Sequence, residues 1–255
     1  MSNPYKDIKI LVVGDSCTDV FTYGDTLRLA PEGPAPVFNP SFSKSNGGMA
    51  SNVVSNIKAI GSHVTLITQD EQIIKTRYID ERTNTLLLRI DENDKTSKIS
   101  QGKLREICNN FFQETFYDAI VISDYCKGFL SEEDIELIAT RNNNVFLDTK
   151  KILGSWADEA AFIKINSYEF KNSQKFITDK LRSKIIHTRG AEGCDYQGVN
   201  YPVEKFDVRD TSGAGDSFMA ALVAEFLTTS DIVESIKSAN IAASKVVQTR
   251  GVGVI

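Results

Sequence analysis

Short runs of β-branched and other apolar residues recur along this chain and alternate with helical patterns. The runs cover residues 8–13, 119–123, 145–148, 162–165 and 184–188, and the helical patterns lie near residues 49–60, 102–114, 131–140 and 167–175. Strands that are apolar throughout are typical of a sheet with both faces buried. Strands that alternate with helices indicate parallel pairing, because each connection crosses back over the sheet through a helix. The sequence therefore predicts an α/β fold with a central, mainly parallel sheet flanked by helices.

Two segments depart from this alternation. Residues 23–38 contain three prolines, and residues 73–91 alternate apolar with polar side chains. Prolines favour an edge or extended strand, and alternation favours a sheet with one face in water. We therefore expect a small β-lid, formed by about residues 20–46 and 73–92, over the cleft of a single domain that covers residues 1–255.

The composition argues against several classes of function. The 255 residues have a net charge of −5, with scattered lysines and arginines, so we expect neither a nucleic-acid partner nor a membrane partner. Four cysteines lie far apart and only two histidines are present, which is unlike a zinc site. No apolar run approaches the roughly 18 residues of a membrane helix, and the first residues lack the apolar segment of a signal peptide. We expect a cytoplasmic protein with reduced thiols.

Polar residues follow several of the predicted strands. Asp15 and Asp19 come after the first strand, and Asp124, Asp148 and Asn166 follow later ones. In open α/β sheets, ligands bind beyond the carboxyl ends of the strands. We therefore expect the functional site at this edge.

Residues 210–216 read Asp-Thr-Ser-Gly-Ala-Gly-Asp and lead directly into an apolar helical pattern over residues 214–228. Successive backbone N–H groups at such a helix start can surround an anion, supported by the helix dipole. Asp216 in the first turn would repel a bound phosphate unless it takes the proton from a hydroxyl that attacks that phosphate. The motif therefore indicates phosphoryl transfer, although a glycine turn followed by aspartate is also an ordinary helix start.

The seven-residue motif resembles the signature of the ribokinase or PfkB family of sugar kinases. The resemblance implies that Asp216 is the catalytic base and that Gly213, Ala214 and Gly215 form the anion hole. It also implies a ribokinase-like fold and the use of ATP and Mg²⁺, and it leaves a monovalent cation as an open alternative. The chain has no Walker sequence, which agrees with a phosphate held by a helix terminus.

Asn166 and Glu169 are spaced by three residues after a predicted strand, so their side chains lie on one side of a helical first turn. From spacing alone, the pair is either a capping box or a set of oxygen ligands that holds Mg²⁺ mostly through water. The family has an Asn-x-x-Glu motif at this place, and the resemblance implies the magnesium role.

Further parts of the resemblance concern the sugar and the nucleotide. Taken alone, these residues are equally compatible with turns, caps and solvated surface charges. The resemblance implies contacts to the sugar from Gly47, Gly48, Asn52, Asp19, Asp124, Lys127 and Lys150, with Arg77 as a further candidate for a sugar phosphate. It implies contacts to the nucleotide from Thr188, Gly190, Gly193 and Asn240. Met49 departs from the family pattern beside the glycine pair and leaves the alignment of that pair open.

Four stretches narrow the resemblance to one branch of the family. They are Val12 to Asp19, Arg28 to Val37, Ser123 to Gly128 and Leu147 to Lys150. They are similar to the branch that phosphorylates the anomeric hydroxyl of D-glycero-D-manno-heptose 7-phosphate. Kinases for another sugar or a nucleoside, and a non-catalytic sugar or nucleotide sensor, remain alternatives.

The chain also departs from this branch between Thr68 and Ile73. Family members usually carry about one further strand and helix at this point, so the resemblance implies a missing segment. Related kinases dimerise through the lid, because exposed lid strands pair to cover their edges. We therefore expect a homodimer through the lid.

Overall fold

The apolar runs of the sequence become strands, and the described chain covers residues 3–109, 117–204, 210–248 and 253–255 of a computed structural model. The strands are β1 (Lys9–Gly14), β2 (Ser16–Leu29), β3 (Pro36–Met49), β4 (His63–Ile67), β5 (Ile74–Asp80), β6 (Thr85–Glu92), β7 (Ala119–Asp124), β8 (Val145–Thr149), β9 (Phe162–Asn166), β10 (Ile185–Thr188), β11 (Cys194–Tyr196) and β12 (Val199–Tyr201). The helices are α1 (Ala50–Ile60), α2 (Gln101–Asn109), α3 (Glu132–Ala139), α4 (Ser167–Ser173), α5 (Asp179–Arg182), α6 (Ala214–Thr229) and α7 (Ile232–Val246).

The larger sheet has eight strands in the order β12-β11-β10-β9-β8-β7-β1-β4. All pairings from β10 to β4 are parallel, and β11 and β12 add an antiparallel hairpin at one edge. The predicted α/β architecture with a mainly parallel central sheet is confirmed.

Alternate residues of the central strands fill two separate cores. Ile10 and Val12 pack on one face of the sheet with residues of α1, α6 and α7. Leu11 and Val13 pack on the other face with residues of α2 and α3. Because both faces of the sheet are covered, its strands are apolar throughout, as the sequence pattern requires.

The second sheet has four strands in the order β3-β2-β5-β6 and is called the small sheet below. Its β2–β5 pairing is parallel, and its two other pairings are antiparallel. The first two strands extend beyond the segment of about residues 20–46 that was expected for the lid, since β2 starts at Ser16 and β3 runs to Met49. The other two, β5 and β6, lie within the expected residues 73–92.

The two sheets meet at the carboxyl end of β1. Gly14 ends this strand so close to β7 that a Cβ atom would lie 1.9 Å from the backbone oxygen of Ser123. One residue later the chain enters β2, where Ser16 pairs with Met49 at the end of β3. The backbone N–H of Ala50 then donates to the Asp15 carbonyl at 3.0 Å, which fixes the start of α1 beside the end of β1.

One local expectation differs from the structure, and another is only partly within the described residues. Gly47 and Gly48 directly precede the helical pattern near residues 49–60, where a glycine pair favours a turn that opens the helix, but both lie in β3, and α1 begins only at Ala50. The register of β3 with β2 accounts for this, because Gly47 and Gly48 pair with Thr18 and Cys17 as regular strand residues. The pattern near residues 102–114 becomes α2 as far as Asn109, and its remainder lies outside the described residues.

The stretch from Thr68 to Ile73 connects β4, the edge strand of the larger sheet, to β5 of the small sheet without an intervening helix. This is the place where a further strand and helix would be expected in the family. In the described part of the chain, no helix combines the length and hydrophobicity that a membrane crossing requires.

Candidate active site

A cavity of about 360 Å³ lies where the two sheets meet. Its wall on the side of the small sheet includes Asp19, Lys75, Arg77 and Arg89. The opposite wall comes from the loops after β7 and β8 and from the start of α6, and includes Tyr125, Lys127, Lys150, Gly213 and Asp216. The cavity is therefore at the carboxyl edge of the parallel strands, where the sequence predicted a site.

Asp216 lies in the first turn of α6 and is only 4% exposed. Asn52 of α1 donates from Nδ2 to its Oδ2 at 2.8 Å, and the Tyr125 hydroxyl donates to its Oδ1 at 2.8 Å. Burial raises the pKa of the Asp216 carboxyl to about 6, although these two hydrogen bonds favour the charged form. The group can therefore accept a proton near neutral pH.

The backbone before Asp216 is open to the cavity. Gly213 is the N-cap of α6 in a left-handed conformation with φ of 83°, which a residue with a side chain adopts only with strain. No side chain among the described residues caps this helix start. At Gly215, a Cβ atom would lie 2.8 Å from Lys164 Nζ, so the missing side chain lets an ammonium group approach the first turn. The helix start thus joins backbone donors, a helix dipole and a nearby cation.

Lys164 belongs to a chain of charges that lies beneath the first turn of α6. Its Nζ contacts Asp148 Oδ2 at 2.6 Å, and Lys150 Nζ lies 3.6 Å from Asp148 Oδ1. Burial alone would raise the pKa of the Asp148 carboxyl, but the two ammonium groups outweigh burial and hold the pKa below its usual value. Asp148 and Glu169 raise the pKa of the Lys150 ammonium despite its burial. The Asp148 carboxyl and the Lys150 ammonium are therefore charged at neutral pH.

Asn166 and Glu169 form a capping box at the start of α4. Asn166 Oδ1 accepts from the backbone N–H groups of Tyr168 and Glu169, and Glu169 Oε2 accepts from the backbone N–H of Asn166. Glu169 Oε1 accepts from Lys150 Nζ at 2.5 Å. The cap that spacing alone allowed is thus present, and both side chains are already engaged.

Cations and carboxylates alternate on the wall formed by the small sheet. Arg77 contacts Asp19 at 2.5 Å, and Arg89 contacts Asp91 at 2.6 Å. Lys75 reaches both Asp91 and Asp94, and Lys127 contacts Asp94 at 2.5 Å. We call the four cations the cation cluster: Lys75, Arg77, Arg89 and Lys127. Three of these cations belong to the small sheet, and Lys127 reaches them from the opposite wall through Asp94. The four cations contact three carboxylates, so the cluster carries one more formal positive charge than negative charge.

Two residues of the predicted sugar site lie against this wall, and another lies against Asp216. A Cβ atom on Gly48 would lie 2.0 Å from Asp19 Oδ2, so this glycine permits the close approach of the carboxylate. Gly47 precedes Gly48 in the same strand, and a Cβ atom on Gly47 would lie 2.7 Å from the Ser51 Cβ. Asn52 directs its amide to Asp216.

Asp124 does not line the cavity. Its carboxylate accepts from Thr149 Oγ1 at 2.6 Å and pairs with Lys151 Nζ at 2.9 Å. These contacts join the end of β7 to the end of β8 and to the loop that follows β8. The structure therefore places Asp124 behind the wall of the cavity, as a group that holds two loops together.

The residues predicted to contact the nucleotide lie together around β10 and β12, away from the cavity lining. Thr188 ends β10, and Gly190 begins the following turn with φ of 57°. A Cβ atom on Gly193 would lie 2.0 Å from the Tyr201 carbonyl oxygen. Asn240 of α7 donates to that same oxygen at 3.0 Å. Residues 205–209, which connect β12 to the segment before α6, lie outside the described residues.

Sequence reasoning did not assign four residues that contact the site: Lys75, Arg89, Tyr125 and Lys164. The two cations of the small sheet had a signal, because Lys75 and Arg77 are two apart on β5 and Arg89 pairs with Arg77 in register. Tyr125 lies within the Ser123 to Gly128 stretch but was given no role. Lys164 lies at the centre of β9 and is buried, and a lysine that interrupts an otherwise apolar strand is a signal for a buried charged group.

A family model described as "pfkB family carbohydrate kinase" matches residues 76–254. The Bifunctional protein HldE of Marinomonas sp. (strain MWYL1) is 27% identical over 297 residues, which cover 97% of this chain and 62% of that protein. The Bifunctional protein HldE of Coxiella burnetii (strain RSA 493 / Nine Mile phase I) is 25% identical, again with 62% of that protein covered. The chain thus spans about three fifths of these relatives. The 297 aligned positions exceed its 255 residues, so the Marinomonas protein has residues that this chain lacks.

Solved structures show the fold. Phosphofructokinase-2 from Escherichia coli in complex with potassium has a TM-score of 0.68 and 15% identity, and the match covers 97% of this chain and 94% of that one. Ribokinase of Arabidopsis thaliana, complexed with ribose and ATP, has a TM-score of 0.67 and 14% identity, with 96% and 94% covered. The chain therefore has the ribokinase-like α/β fold, as predicted.

Proposed function

Because this chain belongs to the pfkB family of carbohydrate kinases, we propose that it transfers the γ-phosphate of ATP to a sugar phosphate. The acceptor that we propose is the anomeric hydroxyl of D-glycero-D-manno-heptose 7-phosphate. One observation supports this choice above the others: the cavity holds both the buried carboxylate of Asp216 and the cation cluster, three of whose four members lie on the opposite wall. The first suits a hydroxyl that must lose a proton, and the second suits a phosphate that the sugar already carries.

In the proposed reaction, Asp216 accepts the proton of the acceptor hydroxyl while the hydroxyl oxygen forms a bond to the γ-phosphorus. The bond between that phosphorus and the oxygen of ADP breaks, and ADP leaves with the electron pair. The backbone N–H groups of residues 213–215 and the ammonium of Lys164 lie where negative charge develops on the phosphoryl oxygens. These groups are fixed by the fold before substrate binds, so they lower the barrier without reorganisation.

Mg²⁺ would neutralise the charge of the triphosphate when bound. Asn166 and Glu169 fit an ion held through water, because a carboxylate has lone pairs beyond those that the cap and Lys150 occupy. In the described residues, no group of three or more histidine, cysteine, aspartate or glutamate side chains could hold a metal directly. We propose Thr188, Gly190, Gly193 and Asn240 as the nucleotide side of the site.

For the sugar, we propose that Asp19, Gly47 and Gly48 face its hydroxyl groups and that Lys127 and the other members of the cation cluster hold its phosphate. Lys150 also lines the cavity, and its Nζ lies 5.1 Å from the centre of the Tyr125 ring. We further propose that the small sheet acts as a lid, because it supplies one entire wall of the cavity.

The acceptor can be identified with a panel of sugars, their phosphates, 7-phosphorylated heptoses and nucleosides, each tested for ADP release with ATP and Mg²⁺. The proposal expects the highest kcat/KM with D-glycero-D-manno-heptose 7-phosphate. A higher kcat/KM with another sugar or with a nucleoside would identify that compound as the acceptor, and the protein would still be a kinase. Binding of a sugar in calorimetry with no ADP release from any acceptor would support a sensor instead.

Replacing Arg89 with methionine should raise KM for phosphorylated acceptors by about 10–100-fold, because a charge-assisted hydrogen bond to the phosphate is lost. KM for the same sugars without phosphate should change little. Arg89 is half-exposed, and within the described ranges its one ion pair is with Asp91, so the variant should fold. Arg82→Met, in the turn between β5 and β6 where the side chain is 64% exposed, serves as the control. Equal effects on both classes of acceptor would contradict a phosphate site.

The pH dependence of turnover should follow the raised pKa of Asp216. The carboxyl must be ionised to accept the hydroxyl proton, so kcat should fall about tenfold per pH unit below pH 6 and should level off above it. Steady-state rates between pH 4.5 and 8 at saturating substrates measure this acid limb of the pH profile of kcat. A midpoint near pH 4, the pKa of an ordinary aspartate, would contradict the role of burial.

We propose a homodimer through the small sheet. The edge strand β6 exposes Leu86, Leu87, Leu88 and Ile90 to solvent, and a hydrophobic edge strand of this kind invites pairing. Light scattering after size exclusion should give a dimer at micromolar concentration, and Leu88→Glu should give a monomer. A monomeric wild-type protein would contradict this interface. We place the enzyme in the cytoplasm, where ATP is available to it.

A further inference from the structure

The hydroxyl of Tyr125, a residue that lines the cavity, donates to one of the two carboxylate oxygens of Asp216. Tyr125 and Asp216 both line the cavity, and the hydroxyl donates to Asp216 Oδ1 at 2.8 Å. The other carboxylate oxygen, Oδ2, is held by the buried amide of Asn52, which does not line the cavity. Any hydroxyl that enters the cavity to lose its proton must therefore reach the oxygen that Tyr125 already holds.

Tyr125 is fixed from two directions. Its backbone N–H donates to Asp15 Oδ2 at 2.7 Å, and Asp15 also accepts from the backbone of Lys127 and Phe129. The ammonium of Lys150 lies 5.1 Å from the centre of its ring. These contacts hold the side chain over the base, so its hydroxyl is a donor that needs no further ordering.

We propose that Tyr125 is a positioning residue that holds Oδ1 of Asp216 until an acceptor binds, and that it thereby suppresses phosphoryl transfer to water. This inference rests on the proposed function. In the suppressed reaction, Asp216 would take a proton from water while the water oxygen bonds to the γ-phosphorus. The bond to ADP would break, giving ADP and inorganic phosphate.

Water and a phosphorylated sugar differ in the binding energy that each has available to displace the Tyr125 hydroxyl from Asp216. A water molecule competes for Asp216 with one hydrogen bond, against a tyrosine that is already in place. A phosphorylated sugar is held at its other end by the cation cluster, so binding energy from that end can displace the tyrosine hydroxyl. Tyr125 thus discriminates between the two acceptors without contacting the reacting phosphorus.

The remaining charged and titratable groups around Asp216 stay in place when only the tyrosine hydroxyl is removed. In the described residues they are Asp148, Lys164, Lys150 and Cys17. Asp19 and the cation cluster line the same cavity. Tyr125→Phe keeps the ring beside Lys150 and removes one donor to the carboxylate. A change in the pKa or the reactivity of Asp216 in this variant can therefore be attributed to loss of the Tyr125 hydroxyl.

The test compares ADP release without acceptor to ADP release with the best acceptor of the panel, in the wild type and in Tyr125→Phe. The ratio should rise by at least about tenfold in the variant, since its base is free to take a proton from water. The acid limb of kcat/KM, which reports the free enzyme, should move up by about one pH unit because a hydrogen bond to the ionised form is lost. Tyr168→Phe, at a tyrosine that is 74% exposed, should change neither quantity.

An unchanged ratio and an unshifted limb in a folded Tyr125→Phe protein would overturn the inference. If that variant fails to fold, 2,3-difluorotyrosine at position 125 provides the stronger donor, and the limb should then move to lower pH and the ratio should fall. Failure of either shift to occur would again overturn the inference.

Failure of the proposed function has a different signature, which is a wild-type protein without acceptor-dependent ADP release. In that case, titration of the Asp216 carboxyl by ¹³C NMR still tests the inference, with Asp216→Asn used to assign the signal. The midpoint should be higher in Tyr125→Phe than in the wild type. Equal midpoints would contradict the contact even in a protein that is not a kinase.

Discussion

Asp216→Asn is expected to lower kcat by about 10²–10⁴-fold, the usual effect of removing a general base. The asparagine side chain can accept from Asn52 through its carbonyl and can donate to the Tyr125 oxygen, so the local packing should survive. The loss should therefore appear in kcat, measured as acceptor-dependent ADP release, and much less in the Kd of sugar or ATP measured by calorimetry.

Stability distinguishes this loss from unfolding. The pKa of Asp216 is raised in the folded protein, so the folded state holds its proton more tightly than the unfolded chain does. This carboxyl consequently stabilises the fold most at low pH, and its contribution is lost as the pH rises through about 6. At pH 8 the asparagine variant should thus melt at or above the wild-type temperature. Asp70→Asn, at a carboxylate that is 91% exposed, is the control and should retain kcat. Turnover within a few fold of the wild type in Asp216→Asn would contradict the assignment.

Lys164→Met is expected to lower the free energy of unfolding by about 3–5 kcal/mol, the usual result when one partner of a buried ion pair is removed. Lys164 and Asp148 are both buried, their atoms lie 2.6 Å apart, and the second cation near Asp148 is 3.6 Å away. Without Lys164, the Asp148 carboxylate keeps only this weaker contact. Urea denaturation at pH 7 measures the change.

The double variant Lys164→Met with Asp148→Leu should recover much of that stability, because it removes the unpaired charge along with its partner. It should not recover turnover, since the ammonium beside Gly215 is still missing. Lys237→Met, which removes a half-exposed lysine that contacts Glu234, should change stability by less than about 0.5 kcal/mol. A loss of similar size in Lys164→Met and Lys237→Met would show that the buried pair contributes little.

Local pattern predicted the larger sheet well, because its strands are buried on both faces. The runs at 8–13, 145–148 and 162–165 each become a strand within one residue of the expected bounds. The small sheet was predicted with less accurate ends. Its strands are bounded by pairing between segments far apart in sequence, such as Ser16 with Met49, and no local pattern contains that information.

The difference between local pattern and long-range contacts also explains which site residues the sequence predicted and which it did not. Asp216 and the residues before it lie in one short motif, so their spacing alone indicated an anion site. Tyr125, in the loop after β7, contacts Asp216, and Lys164 of β9 lies beside Gly215. Both come from parts of the chain far away in sequence, so only the fold brings them together. Asn166 and Glu169 show the opposite case, because the spacing that suggests a metal is also the spacing of the cap that the structure contains.

The central claim is that Asp216 directs the γ-phosphate of ATP to the anomeric oxygen of a sugar that already bears a phosphate. The most direct measurement is ³¹P NMR of the protein with ATP, Mg²⁺ and D-glycero-D-manno-heptose 7-phosphate. We predict one new phosphomonoester signal that correlates with the anomeric proton, grows in equal amount with ADP, and fails to form with Asp216→Asn. Formation of inorganic phosphate alone, of a phosphate on another oxygen, or of the same product by Asp216→Asn would contradict the account.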